Sequence, residues 1–211
     1  MNVYVESDKT NVNIQPYSYF DTGLTDSRGG KIFYSFATDD QNTDQMEDGI
    51  AVKTCYNGIW KLYPTIFTAS GTESETFNLS IGSNRDTQQY IPGDFVDVYV
   101  DRGGKIQRWT RDDDGVFANT NNVSTIDVSN TTIYGKSKTI FGIRLTEDKT
   151  YEIKFGTGII GSKLQAGDRV IIVYLDTNGP DGQIDISDVN FDTLQVITPG
   201  VEFGLNSDIM S

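Results

Sequence analysis

The chain has 211 residues, with 17 Lys and Arg against 30 Asp and Glu, no histidine, one cysteine, and 11 Phe, 11 Tyr and 2 Trp. Without histidine there is no imidazole general base, no Ser-His-Asp or Cys-His arrangement and no His-ligated metal, and a single thiol, Cys55, excludes an internal disulfide or a multi-cysteine metal cluster. A net charge of −13 argues against the phosphates of nucleic acid or an anionic membrane as partners.

At 36% hydrophobic residues the chain has enough apolar mass to fold, and its length suits one or two domains. No apolar run approaches the roughly 20 residues of a membrane helix. The opening residues MNVYVESDKT lack a positive n-region and an apolar h-region, so no signal peptide is expected.

In chain order the periodicity is that of strands. Residues 31–36 (KIFYSF) and 50–55 (IAVKTC) are short apolar runs, the first preceded by Arg28-Gly29-Gly30. Asn57-Gly58, between Cys55-Tyr56 and Ile59-Trp60, predicts a tight hairpin, because that pair tolerates the positive φ angles of a type I′ turn. Strands are expected at 66–68 and 77–81, and a soft boundary at 82–94, where Gly-Ser-Asn-Arg-Asp-Thr-Gln-Gln interrupts them. In 95–100 the alternation puts Val96, Val98 and Val100 on one face and Phe95, Asp97 and Tyr99 on the other. This strand should return through Gly103-Gly104 toward Trp109 as a second hairpin. The polar stretch 112–130 reads as an exposed loop or arm, followed by strands at 139–145, 151–155 and 170–175. The one helix candidate is 187–196, with Ser187 as cap and Val189, Phe191 and Leu194 on one face, weakened by the β-branched Val189, Thr193 and Val196. The expectation is an all-β chain of antiparallel sheets joined by Gly, Asn and Asp turns, sandwich-like, with at most one or two short helices. Its parts would be an N-terminal β region (1–90), a second β region (91–190) and an extended tail (191–211).

Four groups of residues invite a chemical reading. The segment 176–188 resembles an EF-hand loop once Pro180 is discounted, through Asp176, Asn178, Asp181, Gly182, Ile184 and Asp188. Pro180 shifts that spacing by one and a strand precedes it, so an Asx-rich turn fits better. Asp112, Asp113 and Asp114 could gather a cation, but adjacent carboxylates on extended chain point to different sides, which makes a solvated acidic loop. Gly156, Gly158 and Gly161 satisfy GxGxxG after a strand, but the glycine at 167 leaves no room for the helix of a dinucleotide fold. Trp60 and Trp109 could stack sugars, although aromatic residues packed in a sheet explain them as well. Cys55 sits in an apolar alternation and reads as a buried small hydrophobe. No catalytic, cofactor-binding or metal-binding residue is assigned.

The stretch from Lys138 to Gly179 combines Phe155-Gly156, Thr157, Gly158, Gly161, Gly167-Asp168, a Val-rich strand from Val170 to Tyr174, and Gly179. In order and spacing it resembles the segment shared by baseplate wedge proteins of contractile-tailed, T-even-type bacteriophages and their baseplate J-like relatives. The resemblance is good over 95–180 and extends from about residue 12. Thr157 stands where the family has an acidic residue or Asn, and Gly182-Gln183 where it has Gly-Asn. The resemblance implies a non-enzymatic structural subunit of the virion, assembled in the host cytoplasm. It also implies contacts with other baseplate subunits and with copies of itself, without nucleic acid or membrane. The competing expectation is a surface or secreted β-sandwich that binds carbohydrate or is stabilised by calcium.

Overall fold

The computed structural model describes residues 2–6, 11–36, 43–45, 50–79, 92–117, 138–148, 150–190 and 194–198. Positions 82–91 of the expected boundary, 118–130 of the expected loop, and 191–193 and 199–211 of the expected tail lie outside these. The described residues are strand-rich: β1 (Asn2–Glu6), β2 (Asn11–Asn13), β3 (Tyr19–Thr25), β4 (Lys31–Phe36), β5 (Thr43–Gln45), β6 (Ile50–Asn57), β7 (Ile59–Leu62), β8 (Phe67–Thr68), β9 (Thr76–Leu79), β10 (Val96–Arg102), β11 (Lys105–Arg111), β12 (Ile140–Leu145), β13 (Tyr151–Phe155), β14 (Arg169–Asp176) and β15 (Val196–Ile197). Helix among them is limited to α1 (Asp113–Phe117) and two 3₁₀ turns, Gly179–Gly182 and Ile186–Asp188. The chain is all-β. No helix among the described residues is long and apolar enough to cross a membrane.

The chain folds as two units that interleave along the sequence. Unit 1 comprises Met1–Lys61, Asn84–Pro92 and Leu175–Ser211, and unit 2 comprises Leu62–Ser83 and Gly93–Tyr174.

Unit 1 holds an antiparallel sheet in the order β1-β6-β4-β3-β15 and a separate β2-β5 pair. Alternation along β4 sends Ile32, Tyr34 and Phe36 to one face, where they pack with Phe20 and Cys55. The Phe20 ring stacks on Tyr34 (6.1 Å) and meets Phe36 edge-on (5.9 Å). Cys55 is buried there, as expected of a small hydrophobe.

The predicted Asn57-Gly58 hairpin does not form. β6 pairs with β4 and β1 instead. Gly58 N donates to Phe33 O (2.8 Å), and a Cβ at Gly58 would strike the carbonyl of Asp176. The glycine is needed for that close approach, with φ at +125°, and not for a type I′ turn. The predicted helix at 187–196 also fails where it is described. Ser187 N and Oγ both donate to Asp185 Oδ1, making an Asx turn in place of a helix cap, and Val196 is in β15.

Unit 2 is one mixed sheet, β14-β10-β11-β12-β13-β9, with β8 paired to β14. Its pairs are antiparallel except β11 with β12, which run parallel through Thr110↔Ile140 and Arg111↔Phe141. The β10–β11 hairpin forms as predicted, with Arg102 opposite Lys105 and positive φ at both Gly103 (+62°) and Gly104 (+86°). β10 is paired on both edges, with β14 and β11, and every residue from Val96 to Val100 is buried. A parallel pair needs a crossover connection, and α1 begins it. Asp112 N donates to Phe141 O, Val116 N to Asp112 O, and Val116 packs with Ile140 and Ile160. Asp112 to Gly115 therefore open a short helix, not the solvated loop expected.

A row of rings runs through unit 2: Trp109–Phe155 (5.2 Å), Phe155–Phe77 (5.9 Å), Phe77–Phe67 (4.8 Å), Phe67–Tyr63 (5.9 Å) and Tyr63–Tyr174 (6.3 Å). It leads from β11 and β13 to the last strand, β9, and on through β8 to β14. Side chains thus join two ends of the sheet, β9 and β8, that do not pair with each other among the described residues. Phe67→Ala breaks two ring contacts at the junction and should destabilise the protein by about 2 kcal/mol. The check is the urea midpoint, together with faster amide exchange in β9.

Candidate functional site

Two of the groups singled out for chemistry lie in turn systems. The first is the loop after β14, within unit 1. Asp176 pairs with Lys61. Asn178 Nδ2 donates to Asp26 Oδ2 (3.1 Å) and to Lys31 O (3.3 Å), while Asn178 N donates to Asn57 Oδ1 (3.1 Å). Ser27 Oγ donates to Asp181 Oδ2 (3.1 Å), and Asp185 is committed to Ser187. Gly182 is buried, its carbonyl accepting from Tyr34 Oη (3.2 Å) and Asn57 Nδ2 (3.3 Å), and a Cβ there would collide with the Asn57 amide. Ile184 packs on the Phe20–Cys55 cluster, and Asp188 ends the second 3₁₀ turn, exposed.

Three of the side chains that an EF-hand would converge on one ion thus turn to different partners: Asp176 to Lys61, Asn178 to Asp26 and Asp181 to Ser27. The loop is a clasp across the β3–β4 turn and the end of β6. Among the described residues no three His, Cys, Asp or Glu gather as a metal would require.

Asp26 is the centre of this clasp. Its side chain is 3% exposed and accepts from Gly30 N (2.7 Å), Arg28 N (3.0 Å), the Arg28 guanidinium (3.2 Å) and Asn178. Four donors around one carboxylate, the Asn178 amide and Gly30 N–H foremost, hold its pKa below the ordinary 3.8. Nothing in the sequence signals this role beyond an Asp four residues before a glycine at a turn.

The second place is the turn system after β13, within unit 2. Phe155 is fully buried. Thr157 N donates to Ile160 O (3.0 Å) and Gly158 N to Gly161 O (3.0 Å), while Thr157 Oγ1 accepts from the amides of Ile159 and Ile160 (3.1 Å each). A Cβ at Gly156 would meet the Ile160 carbonyl, and one at Gly161 would meet the Ile140 side chain. The GxGxxG pattern is a compact turn that drives Ile160 into the core beside Val116 and Ile140. Ser162 N then donates to Lys138 O, and no helix follows.

Gly167-Asp168 closes the next turn. The Asp168 carboxylate, 3% exposed, accepts from Gln165 N (2.8 Å) and from Nε and Nη2 of Arg102 (3.0 and 2.6 Å). Burial pushes its pKa up, but the Arg102 guanidinium and the Gln165 amide outweigh this and leave it lowered. Asp113 is held likewise, accepting from Ile143 N (2.7 Å) and Arg111 Nε (2.8 Å). Trp60 and Trp109 are 5% and 3% exposed, so neither offers a face for a sugar.

No protein-family model, curated protein or solved structure matches the chain.

Asp26 gives a pH test with a definite sign. Because its folded pKa is lowered, its contribution is complete above the ordinary value of 3.8 and is lost as pH falls through the folded pKa. Asp26→Asn should therefore be less stable than the native chain at neutral pH, and the gap in urea midpoints should shrink below pH 3.8. For the turn, Thr157→Ala should cost about 1 kcal/mol, whereas Thr157→Asp, whose carboxylate can accept the same two amides, should restore most of it.

Proposed function

We propose that the chain is a structural, wedge-type subunit of a contractile phage tail baseplate. It would act without catalysis, in the virion, through contacts with other baseplate subunits and with copies of itself. The observation that carries the proposal is the glycine-punctuated order of residues 138–179. The same positions supply structure: Phe155 fills the core, Gly156 and Gly161 permit close approach, and Asp168 is locked on Arg102. Thr157, which departs from the family pattern, hydrogen-bonds the two amides that an Asp or Asn side chain would hold in an Asx turn.

Charge adds support. Unit 1 carries 17 acids against 6 bases, and unit 2 carries 13 against 11. One strongly acidic unit keeps unassembled subunits apart and steers them toward basic partner surfaces, raising association rate more than affinity. The competing sugar-binding reading drew on two tryptophans that are buried.

Mass spectrometry of purified virions, with co-purification from cells expressing neighbouring tail proteins, tests the proposal. The chain is expected in the particle and in a complex with at least one tail protein. Absence from both, or a clear rise in melting temperature with calcium, would favour the binding-module alternative.

A further inference from the structure

The sequence contains two Asn-Gly pairs, Asn57-Gly58 and Asn178-Gly179, and the fold bonds one to the other: Asn178 N donates to Asn57 Oδ1 (3.1 Å). Asn before glycine is open to attack from its own backbone, because glycine lacks the Cβ that would keep its nitrogen from the Asn side chain. In that reaction the glycine nitrogen gives its proton to hydroxide and bonds to the Asn Cγ. The Cγ–Nδ2 bond breaks, and ammonia leaves with a proton from water. Water then opens the cyclic imide to Asp or isoAsp, so water is consumed and ammonia released. The clasp holds both pairs away from that geometry. Asn178 has ψ −1°, which eclipses Gly179 N with the backbone nitrogen of Asn178 instead of its Cβ. Its Nδ2 is bonded to Asp26 Oδ2 (3.1 Å) and Lys31 O (3.3 Å). In the other pair, Gly58 N donates to Phe33 O (2.8 Å) and Asn57 Nδ2 to Gly182 O (3.3 Å).

The two pairs differ in what must open before they react. Gly58 is buried and its N–H is bonded to β4, so freeing it means parting a sheet. Gly179 is half-buried and its N–H is held by Thr177 Oγ1 of the same loop (3.2 Å), so undocking 177–182 alone releases both reacting groups of Asn178. Opening a loop costs less than parting a sheet. We propose that Asn178 is a deamidation site, held in check by the clasp, and that its conversion to Asp prevents the clasp from closing again. The product carboxylate stands where Nδ2 donated, facing Asp26 Oδ2 and Lys31 O, so two acceptors that had a donor now meet a third acceptor. An isoAsp product also adds a methylene to the backbone at this position. The change runs one way, since the ammonia is lost to solvent. The inference rests on unit 1 alone and holds whether or not the chain is a tail component.

Peptide mapping of the folded chain held at alkaline pH, with the guanidinium-unfolded chain alongside, reads both sites in one sample. Unfolded, the two should react at similar rates. Folded, both should slow, Asn57 by at least about tenfold more than Asn178. A rate at Asn178 no higher than at Asn57 in the folded chain, silence at both included, would overturn the site. For the product, Asn178→Asp should have a lower urea midpoint than the native chain at neutral pH. The deficit should shrink as pH falls and one of the two facing carboxylates takes up a proton. Exchanging the pair, Asp26→Asn together with Asn178→Asp, sets a donor against an acceptor again and should be more stable than Asn178→Asp alone. A native midpoint for Asn178→Asp, or an exchanged pair no more stable than it, would overturn the lock.

Discussion

Backbone N–H and C=O groups at the rim of a sheet must find a partner or water, and each unit handles that rim in its own way. Among the described residues of unit 2 the ladder runs no further than β9, and aromatic rings carry the connection from there to β8, which pairs with β14. The row needs Trp109, Phe155, Phe77, Phe67, Tyr63 and Tyr174, and it passes through the fully buried Phe155. In unit 1 the β3 rim is covered by two residues of β15, and the loop after β14 is pinned by Asp26 and Asn57. One rim is closed by packing, the other by a small hydrogen-bonded strand.

Charge placement follows the same economy. In unit 2, Arg108–Asp97, Arg102–Asp168, Arg169–Asp101 and Arg144–Glu152 are each ion pairs between different strands or a strand and a turn. Where the partners are exposed such pairs add little. Asp168 differs, because a carboxylate 3% exposed would be costly without Arg102 and the Gln165 amide. The same reasoning applies to Asp26, two of whose four donors are backbone amides of its own turn.

The strands were largely legible. Alternation and flanking glycines predicted β4 and β13 at their observed bounds, and the paired glycines predicted the β10–β11 turn. Asn57-Gly58 misled because a dipeptide reports what its backbone tolerates and not why a glycine is there. The acidic run at Asp112 misled because Asp113 caps the Ile143 amide, a contact 30 residues away that no local pattern contains. The spacing at 176–188 suggests an EF-hand-like loop, but the contact the loop makes, clasping a turn some 150 positions earlier through Asn178 and Asp26, lies beyond any local signal.

By itself the sequence determined the chemical class of the molecule. Lacking histidine and having one thiol, with period-two apolar runs between Gly, Asn and Asp turns, it specifies a β-rich chain without imidazole or disulfide chemistry, because those properties belong to residue types and short-range sterics. Only the tertiary structure decided which runs become neighbours. It places the residues after Tyr174 back with the first sixty, packs a row of aromatic rings across one sheet, and ties Asn178 and Asp181 to the β3–β4 turn. Each depends on contacts between residues distant in sequence, where burial and the need to pair every polar group override local preference.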